Sequence, residues 1–315
     1  GGCLSFTLEV LQQFLPSRTS GLSDVAMNLV GSFGGAALGL ITAGYAIPAR
    51  RIRVAYERYF LSDSRSNFGL LVLAFWTFSQ WVPFVPSADW GDLKHGLKPL
   101  WITLQDLSLF DFLGALAYVF QFTGLATISL LLGRDRSHAL LLFGIFAATV
   151  LVFKIPIEGR QVSLEALTGL FGGALLAALG SVRGGRFAAW LGGFAVLIGF
   201  WISQLRPGSG TTVGAAFNWI PFRGNLQVPG LMGLSGIFEI LWQFAALAFF
   251  ANCWRLEKRM VYLTGMGVLV SAFITEWLQQ FIPGRYPDIT TVLLAAVAWG
   301  LNGNWGGKMG TSMFL

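Results

Sequence analysis

Long apolar runs, separated by short connections that carry most of the polar and basic residues, set the pattern of this chain. Nine runs approach the roughly 20 residues that a helix needs to cross a bilayer core. They lie near 24–47, 67–82, 106–132, 138–155, 162–180, 186–203, 229–253, 259–282 and 288–305. In lipid the backbone must satisfy its own hydrogen bonds within the segment, so runs of this length are helices. A tenth run, Gly1–Phe14, is too short to span: its residues at about 1.5 Å each reach only about 21 Å. It reads as a truncated N-terminal helix. The pattern predicts an all-α, polytopic transmembrane helical bundle of about nine complete spans.

Composition sharpens this reading. Hydrophobic residues make up 55% of the 315 and charged residues 11%, where soluble domains are about a quarter charged. That excludes a soluble globular enzyme, a disordered chain and a disulfide-rich secreted module. Cys3 and Cys253 both sit in apolar surroundings and make neither a disulfide framework nor a metal site. With only His95 and His138 available, no metal centre and no cofactor are expected. The net charge of +6 needs no nucleic-acid partner, because basic cytoplasmic loops account for it. The segment 48–66 carries Arg50, Arg51, Arg53, Arg58 and Arg65, which places it inside as a solvated loop favouring anionic lipid. Alternation then puts Arg134/Arg136, Arg183/Arg186, Arg255/Lys258/Arg259 and Lys308 on the same side.

Self-comparison finds a repeat. Glu9-Val-Leu-Gln-Gln-Phe-Leu-Pro-Ser-Arg18 returns as Glu276-Trp-Leu-Gln-Gln-Phe-Ile-Pro-Gly-Arg285, with 7 of ten positions identical. A degenerate copy, Lys154-Ile-Pro-Ile-Glu-Gly-Arg160, lies between them. A second element recurs upstream of two of the arginines. It reads Trp81-Val-Pro83-Phe84-Val-Pro86-Ser-Ala-Asp89-Trp90 and again Asn218-Trp-Ile-Pro221-Phe222-Arg223. The parsing is the tail of a first unit (1–60), a second, degenerate unit (61–183) and a third (184–315). Each full unit has four spans, so the units are parallel in the membrane. All Pro-Phe and arginine loops then share the outer side.

The pattern Glu-x-x-Gln-x-Phe-x-Pro-x-Arg, followed by Asp, Asn and Gly at the next span, with an upstream Ile-Pro-Phe element, resembles the VanZ-like family of bacterial membrane proteins. The first copy fits at Glu9, Gln12, Arg18, Asp24, Asn28 and Gly31. The third fits at Glu276, Gln279, Arg285 and Asp288, with Thr291 and Ala295 where the pattern has Asp and Asn. The middle copy keeps Arg160 and Glu165, with Leu151 and Lys154 at the Glu and Gln positions. The first upstream element extends to Lys94 and Lys98. The resemblance implies a multi-pass protein of the bacterial inner membrane acting on the cell envelope. The family takes its name from an accessory factor in resistance to the glycopeptide teicoplanin. The partners implied are membrane lipids and a lipid-linked or peptidoglycan-related ligand.

Glu276 and Gln279, like Glu9 and Gln12, are three apart and share a helix face. A carboxylate near the membrane boundary is costly unless paired. The arginine nine positions later is the expected partner, through two parallel hydrogen bonds. Asp24 and Asn28 would meet Arg18 from the next helix. Two readings stay open: an internal clasp between helices, or an outward polar pocket for an anionic or amide-bearing ligand. No nucleophile, metal set or second unpaired carboxylate accompanies these groups, so no catalytic residue is assigned. The Pro-Phe loops, with Trp81, Trp90, Trp101 and Trp219, are expected as re-entrant or interfacial segments in an aromatic belt. A lid with Lys94, His95 and Lys98 meeting lipid phosphates is the alternative. Gly31/Gly35/Gly39 and Gly169/Gly173/Ala177 form small-residue ridges for close helix packing. The rivals to an envelope ligand-binding protein are a small-molecule or lipid transporter and a purely structural scaffold.

Overall fold

The computed structural model describes residues 54, 58–61, 64–87, 89–208, 215–227, 231–254 and 256–306. Residues Tyr59–Leu315 form one compact unit, and everything below lies within it. The expected truncated helix, the run 24–47, the ridge Gly31/Gly35/Gly39 and the candidates Glu9, Gln12, Arg18, Asp24 and Asn28 fall outside the described residues.

The described chain is helical: α1 (Ser64–Trp81), α2 (Trp90–Gln105), a 3-10 turn (Leu107–Leu109), α3 (Phe112–Leu132), α4 (Arg136–Lys154), α5 (Leu164–Val182), α6 (Gly185–Leu205), the short α7 (Arg223–Gln227), α8 (Met232–Cys253), α9 (Lys258–Gln279) and α10 (Thr290–Gly306). No strand occurs among the described residues; only isolated bridges do. Six helices, α3–α6, α8 and α9, are long and apolar enough to cross a membrane. The molecule is a multi-pass membrane protein. Nine spans are not reached among the described residues. The runs at 67–82 and 288–305 are helical, yet α1 is polar at both ends (Ser64-Arg65-Ser66-Asn67 and Ser79-Gln80), and the apolar part of α10 covers only Thr290–Leu301. One boundary also moves inward. Asp106 caps the 3-10 turn through Ser108 N–H, and Asp111 caps α3 through Gly114 N–H at 2.9 Å, so the run beginning at 106 becomes a helix only from Phe112. The first Pro-Phe segment is followed by a full helix, α2.

Two helices form the centre. α3 is buried along most of its length and packs on α5 and α6; α8 packs on α10, α1 and α6. Glycine makes the closest approaches possible. A Cβ at Gly169 would stand 2.3 Å from Tyr118 Cβ, and one at Gly173 would stand 2.6 Å from Phe122 Cβ. The ridge Gly169/Gly173/Ala177 is therefore the α5 surface that meets α3, as its spacing predicts. Large apolar side chains on α4, α5 and α9, among them Ile145, Phe171, Leu175 and Val270, point outward. Such an uncovered apolar surface suits hydrocarbon, not water.

The connections gather at two ends. At one end Ser87 N–H bonds Pro156 O, Glu158 N–H bonds Val85 O, Gly208 N–H bonds Pro283 O, and Asn218 N–H bonds Pro287 O. Both Pro-Phe segments and both described arginine loops therefore share that end. At the other end Leu61 N–H bonds Leu132 O and Arg134 N–H bonds Tyr59 O.

Candidate functional site

The two described motif arginines each donate to a backbone carbonyl oxygen at a helix end. Arg160 Nε donates to Val82 O at 2.6 Å, just past the C-terminus of α1. Arg285 Nε donates to Arg206 O at 2.7 Å, just past the C-terminus of α6, and its Nη2 donates to Ser203 O. Each guanidinium thus satisfies carbonyls that a helix leaves open at its end, where the macrodipole also favours a cation. Each follows a glycine with positive φ, Gly159 at 71° and Gly284 at 70°, a conformation that costs a non-glycine residue its Cβ clearance.

This corrects the expected pairing of Glu276 with Arg285. The two lie at the same end of the bundle, yet they form no ion pair. The buried Glu276 carboxylate instead accepts from the Asp288 N–H at 2.9 Å, clamping the connection between α9 and α10. Asp288 in turn accepts from Thr290 N–H at 2.7 Å and from Asn218 Nδ2 at 3.0 Å, and Phe222 N–H donates to Thr290 Oγ1 at 2.7 Å. Asn218, Pro221 and Phe222 are thereby tied to the entry of α10, which joins the two motif elements physically. Glu165, also buried, accepts from Asp111 N–H at 3.1 Å and holds the start of α3 against α5. It does not meet Arg160. For Glu276 the backbone N–H lies within the same short connection, 12 residues on, whereas Glu165 reaches across from α5 to the start of α3.

Gln279 donates to Gln204 Oε1 at 3.1 Å. Its counterpart by the repeat, Lys154, donates to Gln80 Oε1 at 2.9 Å. Pro83 and Phe84 turn the chain after α1. Phe84 and Phe222 both adopt φ of 60°, while only the Val82–Pro83 bond is cis, so the two Pro-Phe pairs share the phenylalanine conformation and not the whole turn. Lys94 and Lys98 project from the exposed face of α2, away from these groups.

Ser79, Gln80, Lys154, Arg160, Ser203, Arg206, Glu239 and Arg285 open onto one cavity of about 510 Å³, together with Tyr118 and Gln121. It sits where the C-termini of α1, α4 and α6 meet the N-terminal halves of α3 and α8. Four cations face one carboxylate. Arg206 is neutralised by Asp111 at 2.6 Å, and Glu239 accepts from Gln243 Nε2 at 2.8 Å. Burial lowers the pKa of both Arg160 and Arg285, and the nearby Arg206 charge lowers Arg285 further. Both guanidiniums stay charged at neutral pH, as arginine does in proteins. Arg160 Nη2 is buried with no partner, an unspent donor of the kind that a ligand or water satisfies. The set can hold an anion, and among the described residues it offers no group of three metal ligands.

Sequence reasoning missed Gln80, Gln121, Arg206 and Glu239. A signal existed. Ser79-Gln80 returns as Ser203-Gln204, and Gln121-Phe122-Thr-Gly-Leu125-Ala126 returns as Gln243-Phe244-Ala-Ala-Leu247-Ala248. Trp76 meets Phe122 edge-on at 5.7 Å, and Phe200 meets Phe244 edge-on at 5.0 Å. In comparisons with known proteins, no family model, no curated protein and no solved structure matches this chain.

Proposed function

We propose that this protein is a VanZ-like protein of the bacterial inner membrane whose outward cavity binds an anionic, lipid-linked or peptidoglycan-related envelope ligand without transforming it. The observation that carries the proposal is the convergence of Arg160, Arg285 and Lys154, contributed by two different arginine loops, on one cavity. Buried charged side chains in a membrane protein are expensive, and their concentration around one concavity points to a functional site. By the positive-inside rule the end bearing the motif loops is the outer one, since Arg134/Arg136 and Arg183/Arg186 lie opposite. An accessory role in glycopeptide resistance follows from the resemblance alone. The bound partners are membrane lipid and this ligand, not nucleic acid.

In this reading 61–183 and 184–315 are parallel units related by a pseudo-two-fold axis, and the cavity lies between them. Matching hydrogen bonds support it: Arg160 to Val82 O with Arg285 to Arg206 O, and Lys154 to Gln80 with Gln279 to Gln204. So does the exchange of partners, in which α1 packs on α8 and α6 packs on α3.

The test uses Lys154→Gln. This change removes a cavity charge while reproducing the Gln–Gln bond already present between Gln279 and Gln204. Purified protein should retain a polyprenyl phosphate in native mass spectrometry and not the corresponding alcohol. The variant should weaken retention about tenfold, in line with loss of one charge-assisted contact. Equal retention of phosphate and alcohol, or an unaffected variant, would overturn the ligand assignment.

One observation favours the scaffold reading: Arg285 already spends its donors on helix-end carbonyls. If Arg285→Gln unfolds the protein while Lys154→Gln leaves phosphate retention unchanged, the clasp is structural.

A further inference from the structure

The Pro-Phe segment after α1 leads into α2, a helix that the cavity does not use. One face of α2 is fixed to the bundle. Gly96 is buried so closely that a Cβ there would stand 2.5 Å from Ile155 O, and its carbonyl accepts from Val162 N–H at 2.8 Å. His95 and Gln161 approach to 2.9 Å through Nε2 and Nε2. These contacts lay α2 across the C-terminus of α4 and the N-terminus of α5, at the depth where those two spans stop.

The opposite face is bare. Trp90, Lys94, Leu97, Lys98 and Trp101 follow one another at helical spacing along one stripe, with Trp90 68% and Trp101 63% exposed. They border a shallow groove of about 640 Å³. Lys94 Nζ stands 5.5 Å over the Trp90 ring. The nearby carboxylates are engaged at the helix start: Asp92 accepts from Ser87 Oγ at 2.5 Å, and Asp89 caps Gly91 N–H. Neither lysine is paired with a carboxylate among the described residues. Beyond the stripe, exposed Leu104, Leu107 and Phe112 carry the apolar surface on toward α3.

An apolar strip between two indoles, with ammonium groups reaching from it, is the arrangement of a helix lying in the membrane–water boundary. Indoles sit at headgroup level, lysines extend their stems over apolar surface with the charge in water, and anionic headgroups are drawn to them. We propose that this face of α2 is a docking surface for an anionic phospholipid, distinct from the cavity between α3 and α8. The two lysines take the phosphate and the groove between Trp90 and Trp101 takes the start of the acyl chains.

The experiment places the intact protein in nanodiscs of mixed phosphatidylglycerol and phosphatidylcholine and counts retained lipids by native mass spectrometry. A photo-crosslinking residue at Leu97 reports what covers the face. Phosphatidylglycerol should be enriched over phosphatidylcholine, and Lys94→Gln/Lys98→Gln should cut the enrichment about 25-fold, roughly fivefold per lysine. Lys94→Arg/Lys98→Arg should restore it. Equal retention of the two lipids, or crosslinks to residues 1–58 or to a second copy in place of lipid, would overturn the assignment. Both lysines are exposed, so an unchanged thermal midpoint of the double variant separates lost lipid from lost fold.

Discussion

At the scale of single residues, the roles of Glu276 and Arg285 turn on what each can reach. A carboxylate at the end of a span takes the nearest backbone N–H, and a guanidinium takes the nearest free carbonyls. Arg285→Gln should lower stability by about 1 kcal/mol, because Ser203 O and Arg206 O lose their donors in a partly exposed setting. Arg285→Lys should fall between, keeping the charge and losing the forked geometry. Glu276→Gln retains an oxygen to accept from Asp288 N–H and should cost less than about 1 kcal/mol. Thermal unfolding in detergent measures all three. A large loss for Glu276→Gln equal to that for Arg285→Gln would reinstate an ion pair between them. The arginines, glutamates and Pro-Phe pairs were all legible as special residues from their repetition. Their partners were not, because a repeat shows which side chains matter and not which atoms face them.

At the scale of elements, the positions of the helices follow from apolar length and from their caps. Asp111, Asp135 and Ser163 each accept from a backbone N–H in the first turn of α3, α4 and α5, and such caps end the uncertainty that hydropathy alone leaves. Hydropathy could not separate the 3-10 turn from α3, since Leu107 and Leu109 are as apolar as the span that follows. Nor did it show α2, whose lysines, histidine and Pro99 dilute the signal. The glycines divide by what surrounds them. Gly173→Val places a side chain against Phe122 Cβ and the Thr123 backbone, and should destabilise by about 1–3 kcal/mol or prevent folding. Gly144 in α4 has nothing within 4 Å, so Gly144→Ala should be neutral or stabilise by up to about 1 kcal/mol, as helix propensity dictates. Melting curves of the two variants check both signs.

At the scale of the whole molecule, the prediction concerns sides. Phe281, which is exposed in the connection after α9, and Arg136 at the start of α4 lie at opposite ends of the bundle. With Cys3 and Cys253 replaced by serine, a cysteine at 281 should react with an impermeant maleimide added outside intact cells. One at 136 should react only after permeabilisation. The reverse result would invert the cavity to the inner side. The sequence by itself determined that the protein is helical and lies in a membrane, because bilayer thickness and backbone hydrogen bonding act on every apolar run independently. Only the tertiary structure decided that Arg160 and Arg285 border a shared cavity with Lys154 and Glu239, and that each arginine caps a neighbouring helix. Those facts depend on α3 and α8 packing at the centre with exchanged partners, and shape complementarity between distant segments leaves no local periodicity to read.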